Sequence, residues 1–250
     1  MDTQAWIALA LIVAFAFAVE SALGFGATVV TVALASLVLP IDAILASFVP
    51  VNMVLSAILV ARGAQSVAWR MLWKGVLPFV AAGLPIGIVV LSRVDERWLK
   101  LAFGAFVIVL SAMELFTPAR ADAEPERPIR PALGGAFLAL GGMIHGAFGT
   151  GGPMVVYVLG RRLGDDKAKF RATLSMLWLS LNTILVGSFV VRGTLTAASL
   201  RLSAALLPCL LFGLLAGEIV FRRVSAARFR LFVFVMLALA GAVLVIRSIG

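Results

Sequence analysis

The sequence predicts an all-α polytopic membrane protein, and three features lead to this prediction. Hydrophobic residues fill 62% of the 250 positions and charged residues only 13%, whereas a soluble domain carries about 25% charged residues. Long apolar runs recur along the chain, several of them close to the roughly 20 residues that cross a hydrocarbon core. Tryptophans fall near the ends of these runs, where an aromatic belt lies in membrane proteins. We expect eight to ten membrane segments.

Several classes of protein are disfavoured by the same composition. The start, Met-Asp-Thr-Gln, has no positive n-region, so 5–19 is interpreted as mature protein and not as a cleaved signal peptide. One cysteine, Cys209, excludes an internal disulfide or a cysteine metal cluster. The net charge of +9 is spread over loops, which favours anionic lipid headgroups over nucleic acid as its partner. No metal or cofactor is expected, and a homodimer is left open.

A polar, proline-rich stretch at 117–131 divides the chain into two similar halves and is predicted to be a cytoplasmic linker. Shared Asn, Arg, Pro and Gly at a fixed offset indicate an internal duplication. An offset of 130 aligns Asn52, Arg62, Gly63, Pro78, Gly83, Gly87 and Arg93 with Asn182, Arg192, Gly193, Pro208, Gly213, Gly217 and Arg223. An offset of 125 aligns Ala22, Gly24 and Gly26 with Ala147, Gly149 and Gly151.

Each repeat is predicted to hold one broken-helix hairpin followed by three transmembrane helices. A single helix over 5–39 would be about 50 Å long, too long for one crossing, and Gly-Phe-Gly at 24–26 offers a break into two arms of about 20 Å. Repeat 1 (1–116) then has a hairpin at 5–39 with its break at 20–28, and helices at 43–61, 75–92 and 98–116. Repeat 2 (132–250) has a hairpin at 132–160 with its break at 145–153, and helices at 171–191, 203–221 and 229–248.

The number of crossings sets the predicted orientation of the repeats. A hairpin that enters and leaves on one side, plus three crossings, makes each half topologically odd, so the second repeat is inverted. This arrangement puts 15 of the 21 Lys and Arg on one side, and cytoplasmic loops carry such an excess. We therefore expect a cell (inner) membrane protein with both termini outside. The cytoplasmic loops are then 62–74, 117–131, 161–171 and 222–230.

The two glycine-rich breaks, ESALGFGATVV (20–30) and IHGAFGTGGPMVV (144–156), are the strongest candidates for a binding site. Unpaired backbone persists in a membrane only when it is buried in protein or lines a cavity. A helix that restarts after such a break points free N–H groups and its positive dipole end at the break, which suits an anion. The alternative interpretation is close helix packing through small residues. The predicted substrate-binding residues are Gly24, Phe25, Gly26, Ala27 and Thr28 in the first break and Gly149, Thr150, Gly151, Gly152 and Pro153 in the second.

Polar side chains at repeat-equivalent positions complete the candidate site. Glu20 and His145 each end the first arm of a hairpin, and ionisable groups at membrane depth are functional candidates. We expect them to be proton-coupling residues, with a structural pair as the alternative. The helix end that holds Glu20 is expected to disfavour its carboxylate. Asn52 and Asn182 lie within apolar helices and either bond a neighbouring helix or contact substrate oxygens.

The paired segments around GFGA and FGTGGP, one in each half of a helical chain, resemble the TauE/SafE family of anion transporters. That resemblance covers essentially the whole chain. It implies a secondary transporter that exports a small sulfur-containing anion, such as sulfite, sulfoacetate or a related organosulfonate. Alternating access around the hairpin tips is the expected mechanism, with proton coupling as a candidate. A passive anion channel is one alternative. An intramembrane enzyme is another, but no nucleophile motif supports it.

Overall fold

A computed structural model of the chain describes residues 3–23, 26–37, 39–116, 130–163, 166–223 and 226–249. Over these ranges the chain is helical nearly throughout and contains no strand. Most of the predicted linker, and the predicted site residues Gly24 and Phe25, lie outside them. The α-helices are α1 (Thr3–Leu23), α2 (Ala27–Ala35), α3 (Ile41–Gly63), α4 (Trp69–Met71), α5 (Leu77–Arg93), α6 (Glu96–Phe116), α7 (Pro131–Phe148), α8 (Gly152–Leu163), α9 (Lys167–Val191), α10 (Ala197–Arg223) and α11 (Ala226–Ile249). A 3₁₀ turn at Ala64–Ser66 follows α3, and a π-helical turn at Leu72–Val76 joins α4 to α5.

Six stretches among the described helices are long and apolar enough to cross a membrane, and this confirms the predicted fold class. They are Ile41–Ser66, Trp69–Arg93, Pro131–Phe148, Ala168–Val191, Ala197–Gly217 and Leu231–Ile249, and Trp6–Ser21 is a shorter apolar helix. The prediction of eight to ten segments also includes the hairpin arms and 98–116.

Both candidate hairpins are helices interrupted at glycines with a positive φ. Gly26, before α2, has φ 110°, and Gly149, after α7, has φ 65°. Only glycine adopts this backbone region without a steric penalty from Cβ. The arms differ in length, with 21 and 9 residues in the first hairpin and 18 and 12 in the second. The expectation that each arm of the first hairpin is about 20 Å long is therefore wrong. At 1.5 Å per residue, α1 extends about 31 Å and α2 only about 13 Å.

The helices group into two compact units, each of which draws on both halves of the sequence. The first unit takes its described residues from Met1–Val51, Val94–Arg120 and Thr196–Gly250. The second takes them from Asn52–Arg93 and Ala121–Leu195. A predicted repeat is thus not a compact unit by itself, since each hairpin packs with helices from the other half.

In the first unit, α10 lies directly on the backbone of α1. A Cβ added at Gly213 would overlap the Ala14 carbonyl oxygen, and one at Gly217 would overlap that of Ala18. The Ser21 hydroxyl also donates to the Leu214 carbonyl oxygen at 3.1 Å. Since only glycine leaves room for this approach, Gly213 and Gly217 are packing residues.

The second unit contains the same kind of contact between α5 and α7. A Cβ at Gly83 would overlap the Ala139 carbonyl oxygen, and a Cβ at Gly87 would overlap that of Met143. The approach is equally close from the side of α7, because a Cβ at Gly142 would overlap the Val80 carbonyl oxygen of α5. The offsets found in the sequence relate the two contacts, with 130 from Gly83 to Gly213 and 125 from Ala14 to Ala139.

Two pairs of repeat-equivalent helices pack antiparallel. In the first unit, the Arg97 guanidinium at the start of α6 donates to the Ser248 carbonyl oxygen at the end of α11. In the second, the Thr183 hydroxyl lies 3.7 Å from Met53 Sδ. Farther along the same two helices, Gly63 faces Ala172, so α3 and α9 also run in opposite directions. Inversion of the repeats stays a prediction, and both antiparallel pairs support it.

Candidate functional site

The second hairpin presents the N-terminus of α8 inside the second unit. Helix α7 ends in a left-handed turn, where the Gly149 N–H donates to the His145 carbonyl oxygen at 2.7 Å. Helix α8 restarts at Gly152, with Pro153 in its first turn. Thr150, Gly151 and Gly152 are all buried. The first N–H groups of a helix have no partner within that helix, so the predicted segment Gly149–Pro153 forms a buried positive dipole end.

Beside this helix end lies a buried polar cluster of His145 and Asn182. Their side chains are only 2% and 1% exposed. Asn182 is the hydrogen-bonding neighbour of the imidazole, although the distances and angles of this contact fall outside those of an ordinary hydrogen bond for the ring nitrogens and for both polar atoms of the amide. Each buried polar group left in this state costs about 1–3 kcal/mol. Native proteins keep few of them, and a functional role is one explanation for those that persist.

The cluster adjoins the break itself. A Cβ added at Gly151 would lie 3.2 Å from the His145 Cβ. The same Cβ would overlap the Gly141 carbonyl oxygen. Gly151 is therefore needed for the packing of α8 against α7, whatever further contact it makes with a substrate. A larger residue at this position would disturb the hairpin and would not test substrate binding cleanly.

Asn52 lies on the face of α3 that contacts α9. It is 6% exposed, and the contact between Met53 and Thr183 lies one residue beyond Asn52 and Asn182 respectively. The structure thus brings Asn182 next to His145 and gives Asn52 a buried place on a neighbouring helix.

Sequence reasoning missed Trp178, which stacks on His145 with ring centroids 5.5 Å apart and planes 9° apart. Trp178 lies four residues before Asn182 on α9, so both side chains lie on one helix face. This spacing of an aromatic and an amide in an apolar helix was the available signal. The stacked indole fixes the orientation of the imidazole beside the start of α8.

In the first unit, Glu20 reaches across the break of the first hairpin. Its Oε2 accepts a hydrogen bond from the Ala27 N–H at 3.0 Å, and Ala27 is the first residue of α2. A helix N-terminus stabilises a negative charge. The expectation that a helix end disfavours the Glu20 carboxylate is therefore wrong, because the side chain lies at the start of α2 and not only near the end of α1. Glu20 occupies the position that an anion would take.

The surroundings of this helix start are tight and apolar. Ala27 and Thr28 are buried, and the cavity beside Gly26 holds about 10 Å³, around the space of one water. The residues that line this cavity are Val19, Gly26, Val29, Val30, Leu110, Val233, Phe234 and Leu237. An oxyanion has no room in this cavity. Because Glu20 Oε2 already accepts from the Ala27 N–H, an anion can bind that N–H only if Glu20 moves away.

Comparison with known proteins gives the following matches. The family model described as "Sulfite exporter TauE/SafE" matches residues 9–244, a range that includes both hairpin breaks. A curated relative, "Probable inner membrane transporter protein TsaS" of Comamonas testosteroni, is 25% identical over 178 residues. That alignment covers 71% of this chain and 72% of the relative. No solved structure matches the chain.

Proposed function

The chain belongs to the TauE/SafE sulfite exporter family, and on that basis we propose that it exports sulfite, sulfoacetate or a related organosulfonate. Members of this family are membrane transporters and not enzymes, and the six apolar spans fit a multi-pass membrane protein. Its proposed location is the inner membrane, because the curated relative is named an inner membrane transporter. Its proposed mechanism is alternating access around the two hairpin breaks.

The observation that carries the proposal is the buried start of α8 beside His145 and Asn182. Sulfite and sulfonates present oxygen acceptors on one compact group, and the start of α8 with its neighbouring side chains offers hydrogen-bond donors to them. The first N–H groups of α8 and the Asn182 amide can each donate to a substrate oxygen. A ring N–H of His145 can do the same. An arriving anion would thereby accept from donor groups that otherwise make no hydrogen bond of ordinary geometry.

Glu20 supplies a proposed route for coupling to protons. The carboxylate and an incoming anion compete for the same helix start, and two negative charges there repel each other. A proton taken up by Glu20 from one side removes that repulsion and releases the Ala27 N–H. The anion then binds, and release of the proton on the other side restores the original contact. In this scheme the anion and the proton cross the membrane in the same direction. His145, at the equivalent position, is proposed to exchange a proton in the second unit.

Purified protein in proteoliposomes is expected to take up ³⁵S-sulfite with saturation. Uptake should accelerate when the liposomes contain unlabelled sulfite. A carrier returns to its outward-facing state faster when substrate is bound to it. Sulfoacetate should compete with the labelled sulfite, and liposomes without protein provide the baseline. A flux that rises linearly with concentration and shows no counterflow would identify a passive channel. Absence of any sulfite or sulfonate flux from folded protein would refute the proposed substrate class.

Glu20→Gln is expected to retain sulfite flux but to lose its response to a pH gradient. The glutamine oxygen can still accept from the Ala27 N–H, whereas the side chain no longer takes up a proton. In the parent protein, one unit of pH difference should change sulfite accumulation by up to about tenfold per coupled proton. Asp42→Asn, which alters an exposed carboxylate in the first turn of α3, is the control and should respond as the parent does. A Glu20→Gln protein that still follows the gradient would exclude this role for Glu20.

A further inference from the structure

A large, open pocket lies at one end of the second unit, away from the buried polar cluster. Its volume is about 710 Å³, within the range of ligand pockets. It is formed where the start of α4 and the π-helical turn meet the end of α8 and the first turn of α9. The lining residues are Ala68, Trp69, Arg70, Met71, Lys74, Gly75, Leu163 and Lys169.

The pocket is strongly basic. Arg70, Lys74 and Lys169 line it, and all three are exposed. At its edge, the Arg162 guanidinium donates to the Gly75 carbonyl oxygen at 2.8 Å. Gly75 lies in the π-helical turn, a feature frequent at functional sites. Among the described residues near the pocket, Asp166 offers the compensating charge, at 4.0 Å from Lys169 Nζ. The pocket therefore keeps an excess of positive charge.

The position of the pocket along the helices places it at a membrane surface. Two of the candidate spans, Trp69–Arg93 and Ala168–Val191, begin at the pocket. Trp69 and Trp73 are 43% and 54% exposed, and exposed tryptophans mark the level of the lipid headgroups. Farther along the span Trp69–Arg93, Phe79 and Ile86 are also exposed. A ligand with a charged head in the pocket would have an apolar surface beside its tail.

We propose that this pocket binds the phosphate headgroup of an anionic phospholipid. Arg70, Lys74 and Lys169 would contact the phosphate, and the two tryptophans would flank the glycerol region. Basic pockets between transmembrane helices on the cytoplasmic side suit such headgroups, and the loops 62–74 and 161–171 are predicted to be cytoplasmic. The bound lipid links the ends of α4, α8 and α9. The proposal is independent of the transported substrate.

The test compares lipid binding by the parent protein and by two variants with equal loss of charge. Purified protein in neutral detergent is titrated with phosphatidylglycerol or with phosphatidylcholine of the same acyl chains, and bound lipid is counted by native mass spectrometry. The site variant is Arg70→Gln/Lys74→Gln/Lys169→Gln. The control variant is Arg62→Gln/Arg93→Gln/Arg201→Gln, which removes three exposed arginines outside the pocket. Each removed positive charge should weaken the affinity for phosphatidylglycerol about fivefold, so the site variant should bind this lipid about 100-fold more weakly.

The parent and the control variant should both prefer phosphatidylglycerol over phosphatidylcholine. Equal binding by the two variants would overturn the proposal, because the attraction would then be a property of net charge. Inorganic phosphate and glycerol 3-phosphate form the second arm of the test. If either binds the parent as tightly as phosphatidylglycerol does, the pocket is a site for soluble phosphate and not for lipid. Matching melting temperatures of the two variants confirm that the comparison is between folded proteins.

Discussion

Gly142→Val should prevent stable folding of the protein. The first added carbon would overlap the carbonyl oxygen of Val80 and approach the carbonyl carbon and Cα of the same residue. These atoms belong to the backbone of α5, so no side chain can rotate away to make room. Overpacking of a core usually costs about 1–3 kcal/mol, and more where the obstacle cannot move. With total stabilities of about 5–15 kcal/mol, we expect low yield and a broad, aggregated profile in size-exclusion chromatography.

Gly187→Val is the matched control for this prediction. Gly187 lies in α9 of the same unit, and a Cβ there would have no neighbour within 4 Å. Both variants place the same β-branched residue inside an apolar helix, so the difference between them reports the contact and not helix propensity. The control should elute as a single peak with an unchanged melting temperature. If Gly142→Val behaves like the control, α5 and α7 do not approach through this face.

Asn182→Leu should abolish most transport while leaving the protein at least as stable as the parent. Leucine has the same number of side-chain heavy atoms as asparagine in the same branched arrangement, and it removes a buried amide whose polar atoms make no hydrogen bond of ordinary geometry. Loss of an unsatisfied buried group is expected to stabilise the fold by about 1–3 kcal/mol. A hydrogen bond to a charged substrate is worth about 1.5–3 kcal/mol, so the rate at low sulfite concentration should fall by roughly 10- to 100-fold.

Thr183→Val provides the control at the next position of α9. The Thr183 hydroxyl donates to the Leu179 carbonyl oxygen of its own helix, outside the polar cluster, and its loss should leave ³⁵S-sulfite uptake unchanged. The measurements are initial uptake into proteoliposomes and the melting temperature of each variant. Full transport by a folded Asn182→Leu protein would exclude the amide from the substrate site. If leucine is not tolerated, Asn182→Ala keeps the test open, because it also removes the amide.

The sequence predicted the membrane class and the character of the broken helices, because these depend on composition and on local chemistry. A glycine such as Gly149 marks a break since its backbone conformation excludes most other residues. Partners across space were harder to predict. Nothing in the residues around Glu20 shows that its side chain returns to the Ala27 N–H, because that contact depends on how the chain turns between α1 and α2.

The contact partners of the packing glycines were equally hard to predict from the sequence. The offset of 130 relates Gly83 to Gly213, yet it does not indicate which helix each glycine contacts. Each glycine contacts a helix from the other half of the chain, and this exchange follows from tertiary structure. Trp178 was missed for a related reason. An indole in an apolar helix looks like one more buried hydrophobic residue until its ring is seen against His145.

The exchange of helices between the two halves has a consequence for biosynthesis. The Ser21 hydroxyl donates to a carbonyl group 193 positions later in the chain. Synthesis of those residues takes about 10–40 s at usual rates of translation. During that time α1 is in place without its final neighbour, and the glycine face of α10 has not yet been made. The N-terminal hairpin is therefore among the last parts of the protein to become rigid. For the same reason, a gene divided within the linker should yield two fragments that are stable only when they are produced together.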